Sequence, residues 1–352
     1  MFACDAAALK PGRTAASKES RKHPLTTIAN SDLDVFAFCL GGSVFGWTAD
    51  KQTSFRVLDA YADAGGNFID TADSYSQWAP SNTGGESESI LGDWLTSRGT
   101  RDRLVIATKV GRKGGLTGLS PKVIRQAVEE SLRRLRTDYI DLYYTHADDP
   151  GTPLEETLST LDGLISAGKV RHIGASNISG PRLAESLAVS KQAGLAAYVA
   201  VQPPFNLMER EAFENGLAPV CEREGISCVP YFALAQGFLT GKYRQAAPPV
   251  ESVRGAVAHA YGSTGRGRAV LRALDEIAAE HGTAPAAVAL AWLRAQPHVT
   301  APLASSTTPE QLAELIPGAT LELTKTDVHC LDIASRTTTR KDPQTLYSGR
   351  NL

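Results

Sequence analysis

The chain has 352 residues, 42% hydrophobic and 21% charged, and its 31 glycines and 19 prolines are spread along it, a composition that suits a globular protein with a large core. Its 36 Lys and Arg against 38 Asp and Glu leave a formal charge of −2, so no overall basic field favours a nucleic-acid backbone. No apolar run reaches the roughly 18 residues that cross a bilayer, and no signal-type segment opens the chain, so a cytoplasmic setting without membrane partners is expected.

Residues 1–22 are small, polar and mildly basic without periodicity, and read as a disordered tail. Residues 22–33 read as a short hairpin, turning near Ala29, Asn30 and Ser31, that closes the floor of the domain to come. Short β-branched runs then alternate with stretches of helical period. The strand candidates are VFAFCL at 35–40, NFID at 67–70, RLVIATK at 103–109, YIDLYYTH at 139–146, VRHIGASN at 170–177, YVAVQ at 198–202, ISCVPY at 226–231 and VTAPLAS at 299–305. A helix from Thr53 stops at Gly65 and Gly66, and another is capped by Ser120 and Pro121 and carries Val123, Ile124, Ala127, Val128, Leu132 and Leu135 on one face. A third runs from Leu154 through Leu158, Leu161, Leu164 and Ile165 to Gly168. The stretch from Arg244 to Gly267, rich in Gly, Ala, Pro and Ser, reads as an unusually long loop, and 336–352 as a C-terminal tail.

Eight strands alternating with helices over residues 23–335 fit an α/β fold of the closed (β/α)8 TIM-barrel type, with a hairpin cap and long loops at its mouth. A doubly wound Rossmann domain is the alternative, but only Gly41-Gly42 stands where G-x-G-x-x-G would be needed. The five cysteines are scattered, without C-x-x-C, and the seven histidines lack ligand spacing, so reduced thiols and no metal are expected.

A barrel gathers its chemistry at the C-terminal strand ends, where Asp70, Lys109, His146, Asn177, Gln202 and Tyr231 close six of the runs. Each alone has an ordinary reading, Lys109 as a solvated strand end, His146 as a satisfied histidine, Asn177 as a cap; together on one rim they point to a site. Tyr75, five residues after Asp70, falls in the loop that folds over that rim. A phenol with a pKa of about 10 is a poor acid at neutral pH, and the ammonium of Lys109, balanced by Asp70, is expected to favour its phenolate. With His146 orienting a carbonyl, the set suits protonation of an alkoxide as hydride reaches carbon. No side chain supplies the hydride, so a hydride-carrying cofactor is implied.

In this order and spacing, IDTADSY, VIATKVG, YYTHADD, IGASN, VQPPFNLMER and GFLTGKY resemble the aldo-keto reductase superfamily over about residues 23–335. The resemblance implies a barrel that binds NADP(H) in extended form, and a tetrad matched here by Asp70, Tyr75, Lys109 and His146, with Tyr75 as general acid in reduction and base in oxidation. It puts Ser176, Asn177 and Gln202 on the nicotinamide carboxamide, Tyr231 against its ring, Leu234, Ala235, Gln236 and Lys242 around the pyrophosphate, and Arg254 in the long loop as a seat-belt contact. At the adenosine end Ser306, Thr307, Gln311 and Glu314 fit the family's run. Ser305 replaces its first Gly, Thr308 stands where Lys, Arg or Asn is frequent, and Leu315 replaces its final Asn. A missing cation there removes a charge-assisted hydrogen bond of roughly 1.5–3 kcal/mol from a 2′-phosphate, which keeps NAD(H) open beside NADP(H).

Phe45, Trp47 and Trp78 are candidate substrate walls, with rim covering as the ordinary alternative, and the GRKGGLTG loop is either a closing flap or a plain connection. The implied activity is reversible reduction of aldehydes or ketones to alcohols, the partner being a small carbonyl or alcohol. A cofactor-binding regulatory subunit resembling channel β subunits is the alternative, which the presence of His146 disfavours because those relatives often carry Asn there; a phosphate-sugar isomerase would not require the Tyr75–Lys109 pairing.

Overall fold

The computed structural model describes residues 23, 25–244 and 255–336; the expected tails and Arg254 lie outside the described residues. Eight parallel strands form one curled sheet: β1 (Cys39–Gly41), β2 (Phe68–Asp70), β3 (Val105–Val110), β4 (Ile140–Thr145), β5 (Val170–Ser176), β6 (Tyr198–Gln202), β7 (Ser227–Cys228) and β8 (Leu303–Ala304). They pair in chain order, and β8 returns to β1. The ring closes where Thr300 N donates to Cys228 O at 2.9 Å and Leu303 N to Pro230 O at 2.8 Å. This is the expected (β/α)8 barrel, with an interior filled by Cys39, Phe68, Val105, Ala107, Leu142, Tyr144, Ala200, Val229 and Leu303.

The helices of the outer layer are α1 (Lys51–Asp63), α2 (Glu86–Arg98), α3 (Pro121–Leu135), α4 (Leu154–Ser166), α5 (Gly180–Ala193), α6 (Ala218–Glu224), α7 (Gly255–Ser263), α8 (Gly265–His281), α9 (Pro285–Arg294), α10 (Pro309–Leu315) and α11 (Lys325–Ser335). The expected caps account for several boundaries. Ser120 accepts from Val123 N ahead of α3, whose Ile124, Ala127, Val128, Leu132 and Leu135 are buried. The helix expected from Thr53 starts earlier, because Asp50 accepts from Thr53 N and caps it. Its end needs Gly66, where a Cβ would run into the buried ring of Tyr61.

Leu25–Thr27 pairs antiparallel with Asp34–Phe36 as the expected hairpin, and it sits under the barrel: Ala29 N donates to Ser227 Oγ at 2.8 Å and Asn30 Nδ2 to Gly225 O at 3.0 Å. The run at 35–40 is therefore two strands rather than one. Phe36 N is taken by the Asn67 side chain and Phe38 O by the Tyr61 hydroxyl, so residues 37 and 38 leave the ladder between hairpin and barrel. The long loop expected from 244 to 267 also differs, since 255–263 is helical and Thr264 caps the next helix by accepting from Gly267 N. The GRKGGLTG segment forms a small antiparallel pair, Arg112–Lys113 with Leu116–Thr117. Among the described residues, no helix is long and apolar enough to cross a membrane.

Candidate active site

Strand register delivers the polar residues to one level. Asp70 ends β2 opposite Ala107, and Lys109, two residues on along β3 and so on the same face, comes level with the mouth. Lys109 Nζ lies 2.6 Å from each oxygen of Asp70, 2.9 Å from Thr71 O and 2.8 Å from Tyr75 Oη. The Tyr75 hydroxyl in turn donates to Asp70 Oδ2 at 3.0 Å, and the ammonium is 4.5 Å from the centre of its ring. Asp70 and Lys109 are sealed from solvent, whereas Tyr75 and His146 keep partial access. The ion pair thus forms the base of the site and the phenol and imidazole its accessible face.

Four loop contacts hold Tyr75 in place. Asp73 N donates to Lys109 O, Tyr75 N to Ala72 O and Gln77 N to Ser74 O, and the Ser76 hydroxyl donates to Phe45 O at 2.7 Å. The Tyr75 and His146 rings meet edge-on with centroids 6.0 Å apart. His146 follows β4, its N–H donating to Val110 O at 2.8 Å and its carbonyl accepting from Asn177 Nδ2 at 2.8 Å.

The electrostatics correct one expectation. Lys109 does stand beside Tyr75, yet burial first, and the Asp70 charge second, hold the Tyr75 hydroxyl well above the ordinary tyrosine range. The resting residue is a neutral phenol, the proton-donating form. Burial pulls Lys109 down, with the charge of Asp70 and its hydrogen bonds opposing. Burial, then the charges of Lys109 and Arg112, push His146 well below the usual histidine value, so its imidazole is neutral at pH 7.

A second network reaches across the mouth. Gln202 Nε2 donates to Asp70 Oδ1 at 2.9 Å, Ser176 Oγ to Gln202 O at 2.8 Å, Asn177 Nδ2 to Ser176 Oγ at 3.0 Å and Tyr231 Oη to Asn177 Oδ1 at 2.8 Å. Ser176, Asn177, Gln202 and Tyr231 are therefore joined to the tetrad through Asp70. Beyond them the chain turns through positive φ at Phe232 (54°), Ala235 (47°), Gln236 (57°) and Gly237 (92°). Non-glycine residues at such angles carry backbone strain of roughly 1–3 kcal/mol each, which clusters at ligand clamps. The Lys242 ammonium lies over this turn, 3.3 Å from where a Cβ on Gly237 would sit. Leu234, Ala235 and Gln236 are in the same turn.

At the far end Ser305 Oγ lies 3.2 Å from Ser43 Oγ, Ser306 Oγ donates to Thr308 O, and Thr307 donates through its N and Oγ1 to Gln311 Oε1. Thr308 caps α10 by accepting from Gln311 N, Leu315 packs in the core, and Glu314 is exposed. Trp47 and Trp78 meet edge-on at 5.5 Å and Trp78 meets Tyr75 at 6.1 Å, whereas Phe45 is buried in the core. Sequence reasoning did not single out Ser74, 3.3 Å from His146 Nδ1, or the buried acid Asp73; their place inside IDTADSY, between Asp70 and Tyr75, is the one signal that could have found them. Among the described residues no group of three or more His, Cys, Asp or Glu is placed to hold a metal ion.

Comparison with known proteins agrees with the barrel fold. The family model described as "Aldo/keto reductase family" matches residues 37–336. "Protein tas" of Escherichia coli is 34% identical over 325 residues, 85% of this chain and 93% of that protein. "Norsolorinic acid reductase stcV" of Emericella nidulans is 35% identical over 312 residues, covering 84% of this chain and 77% of its own. "Aryl-alcohol dehydrogenase [NADP(+)]" of Phanerodontia chrysosporium is 34% identical over 203 residues, 54% of this chain and 51% of that protein.

Proposed function

Because the chain belongs to the aldo/keto reductase family and is an NAD(P)H-dependent oxidoreductase, we propose that it reduces aldehydes or ketones to alcohols, reversibly, with Tyr75 as the proton donor and NADP(H) as the preferred nucleotide. The observation that carries the reading is the contact of Lys109 Nζ with both Asp70 and Tyr75 Oη, directly beneath the accessible phenol and imidazole.

The cradle suits a nicotinamide nucleotide. Asn177, Ser176 and Gln202 offer paired donors and acceptors at one end, the half-buried Tyr231 ring offers a stacking face, and Lys242 sets a cation over a positive-φ turn. When bound, the nucleotide supplies the hydride that these side chains lack. Tyr75 Oη gives its proton to the oxygen of the substrate carbonyl as that oxygen gains charge. Lys109 Nζ, donating to Tyr75 Oη, stabilises the phenolate left behind, and Asp70 keeps the lysine cationic in a buried place. His146, neutral, donates to the same carbonyl oxygen and orients it. In the oxidation direction the phenolate takes the alcohol proton back.

For the nucleotide, Arg56 on α1 brings positive charge to Glu310 in the first turn of α10, after the hydrogen bond from Thr308 and a backbone bond in holding that carboxyl low. A cation thus stands near the adenosine end, and it supports our reading of NADP(H) where Thr308 brings no charge of its own. The rim of Trp47, Trp78 and Tyr75 favours a flat aromatic carbonyl, in keeping with the aryl alcohol in one relative's name. We place the activity in the cytoplasm, as the scattered thiols suggest.

The test is to titrate the purified protein with NADPH and with NADH, then follow loss of reduced-nicotinamide absorbance across a panel of aryl and alkyl aldehydes and ketones. Binding with turnover supports the reading, with aryl aldehydes ahead. Binding without turnover on the whole panel would replace it with a regulatory role.

A further inference from the structure

We infer that Ser74 is a positioning residue for His146: its hydroxyl donates to Nδ1 and so fixes the imidazole in the tautomer whose proton is on Nε2, the one able to donate to a substrate carbonyl. The inference rests on the oxidoreductase reading above and adds a residue that the tetrad does not contain.

The argument starts from the ring's charge state. Burial and the neighbouring Lys109 and Arg112 keep His146 neutral, so it carries one proton and has a choice of two nitrogens. The two choices are chemically opposite. With the proton on Nε2 the ring donates to a carbonyl oxygen; with the proton on Nδ1, the lone pair on Nε2 repels it. Nothing in the Tyr75 contact decides between them, because those rings meet edge-on without a hydrogen bond. The backbone of His146 is held on both sides, through Val110 O and Asn177 Nδ2, which sets the ring's position but not its tautomer.

Ser74 makes the choice. Its Oγ lies 3.3 Å from His146 Nδ1, and the residue is only 2% exposed. Among the described residues Nδ1 is the hydrogen-bond partner of that hydroxyl. A buried O–H must find an acceptor, and a protonated Nδ1 would offer none, leaving the hydroxyl hydrogen without a partner. A bare Nδ1 accepts it, which assigns the proton to Nε2. The distance is long for a hydrogen bond, as catalytic contacts in a free enzyme often are before substrate tightens them. Ser74 is itself fixed, since its carbonyl accepts from Gln77 N at 3.2 Å and the next residue is Tyr75. One short segment therefore sets both the proton donor and the orientation of its neighbour.

The test combines nitrogen NMR of ¹⁵N-histidine-labelled protein with kinetics on para-nitrobenzaldehyde, the His146 signals being assigned by their loss in His146→Gln. Wild type is expected to show His146 as a single Nε2–H tautomer. Ser74→Ala is expected to show averaged shifts from a mixture, a kcat/KM reduced by roughly 3- to 10-fold, the worth of one net hydrogen bond, and an unchanged Kd for NADPH. Ser74→Thr, which keeps the hydroxyl, is expected to restore both the single tautomer and the rate. A wild-type Nδ1–H tautomer, or an Ser74→Ala protein with the same single tautomer and the same kcat/KM, would overturn the inference. Those results leave the reductase reading standing if Tyr75→Phe is inactive, whereas an active Tyr75→Phe removes that reading whatever Ser74 does.

Discussion

Asp73 is fully buried, and neither of its carboxylate oxygens has a hydrogen-bond partner among the described residues. It is faced by Glu88 from α2, Arg134 from α3, Lys113 from the small hairpin, Lys109 from β3 and Tyr143 from β4. Burial first, then the Glu88 charge, push its pKa up to about 8, against the smaller opposing effects of Arg134, Lys113 and Lys109. At neutral pH the native protein holds a proton there that the unfolded chain has released. Between the ordinary aspartate range near 4 and about 8, unfolding sheds one proton, so stability falls as pH rises, by about 1.4 kcal/mol per pH unit. Across the whole window this is on the order of 5 kcal/mol from one side chain. Asp73→Asn removes the ionisation and leaves a neutral side chain of similar size. Urea unfolding of both proteins at several pH values from 5 to 9 reads the difference, whatever constant packing change the amide brings. The stability of the variant relative to wild type is expected to climb by about 1.4 kcal/mol per pH unit up to pH 8 and then level off. Parallel curves for the two proteins would refute the reasoning.

Lys109→Met leaves Asp70 as a buried anion without its cation, and is expected to cost about 3–5 kcal/mol in urea unfolding and to abolish measurable turnover. Adding Asp70→Asn to it restores most of that stability and none of the turnover; a double variant no more stable than the single would contradict the ion-pair account. Arg56→Ala is expected to weaken NADPH binding roughly 10-fold, as for a lost charge-assisted contact, and to leave the Kd for NADH within about twofold, both read by fluorescence titration. Equal effects on the two nucleotides would remove Arg56 from the 2′-phosphate.

Much of the site was legible because a barrel turns strand position into spatial position. Asp70, Lys109, His146, Asn177 and Gln202 end or nearly end their runs, and parallel register alone brings them to one rim. The caps at Ser120 and the stop at Gly168 were legible for local reasons, a short side-chain acceptor before an apolar stripe and a left-handed residue after one. What sequence did not reveal depends on groups distant along the chain. The break between residues 36 and 39 is imposed by Asn67 and Tyr61, and VFAFCL contains no residue that signals it. The helix at 255–263 was hidden by glycine and alanine content that suits a loop equally well. Spacing misleads on the acidity of Tyr75 for a related reason: proximity to Lys109 follows from the fold, but burial outweighs it and is not visible in spacing. Asp73 and Ser74 share a short motif with the tetrad, and only the folded loop shows that one faces a buried acid and the other an imidazole.

The central claim is that Tyr75 transfers the proton, and Tyr75→Phe tests it most directly because the ring packing against Trp78 and His146 is kept while the hydroxyl is removed. The variant is expected to bind NADPH with a Kd within about twofold of wild type and to lose roughly 10²- to 10⁴-fold in kcat for aldehyde reduction, the worth of a positioned general acid. Wild-type turnover by Tyr75→Phe would contradict the account.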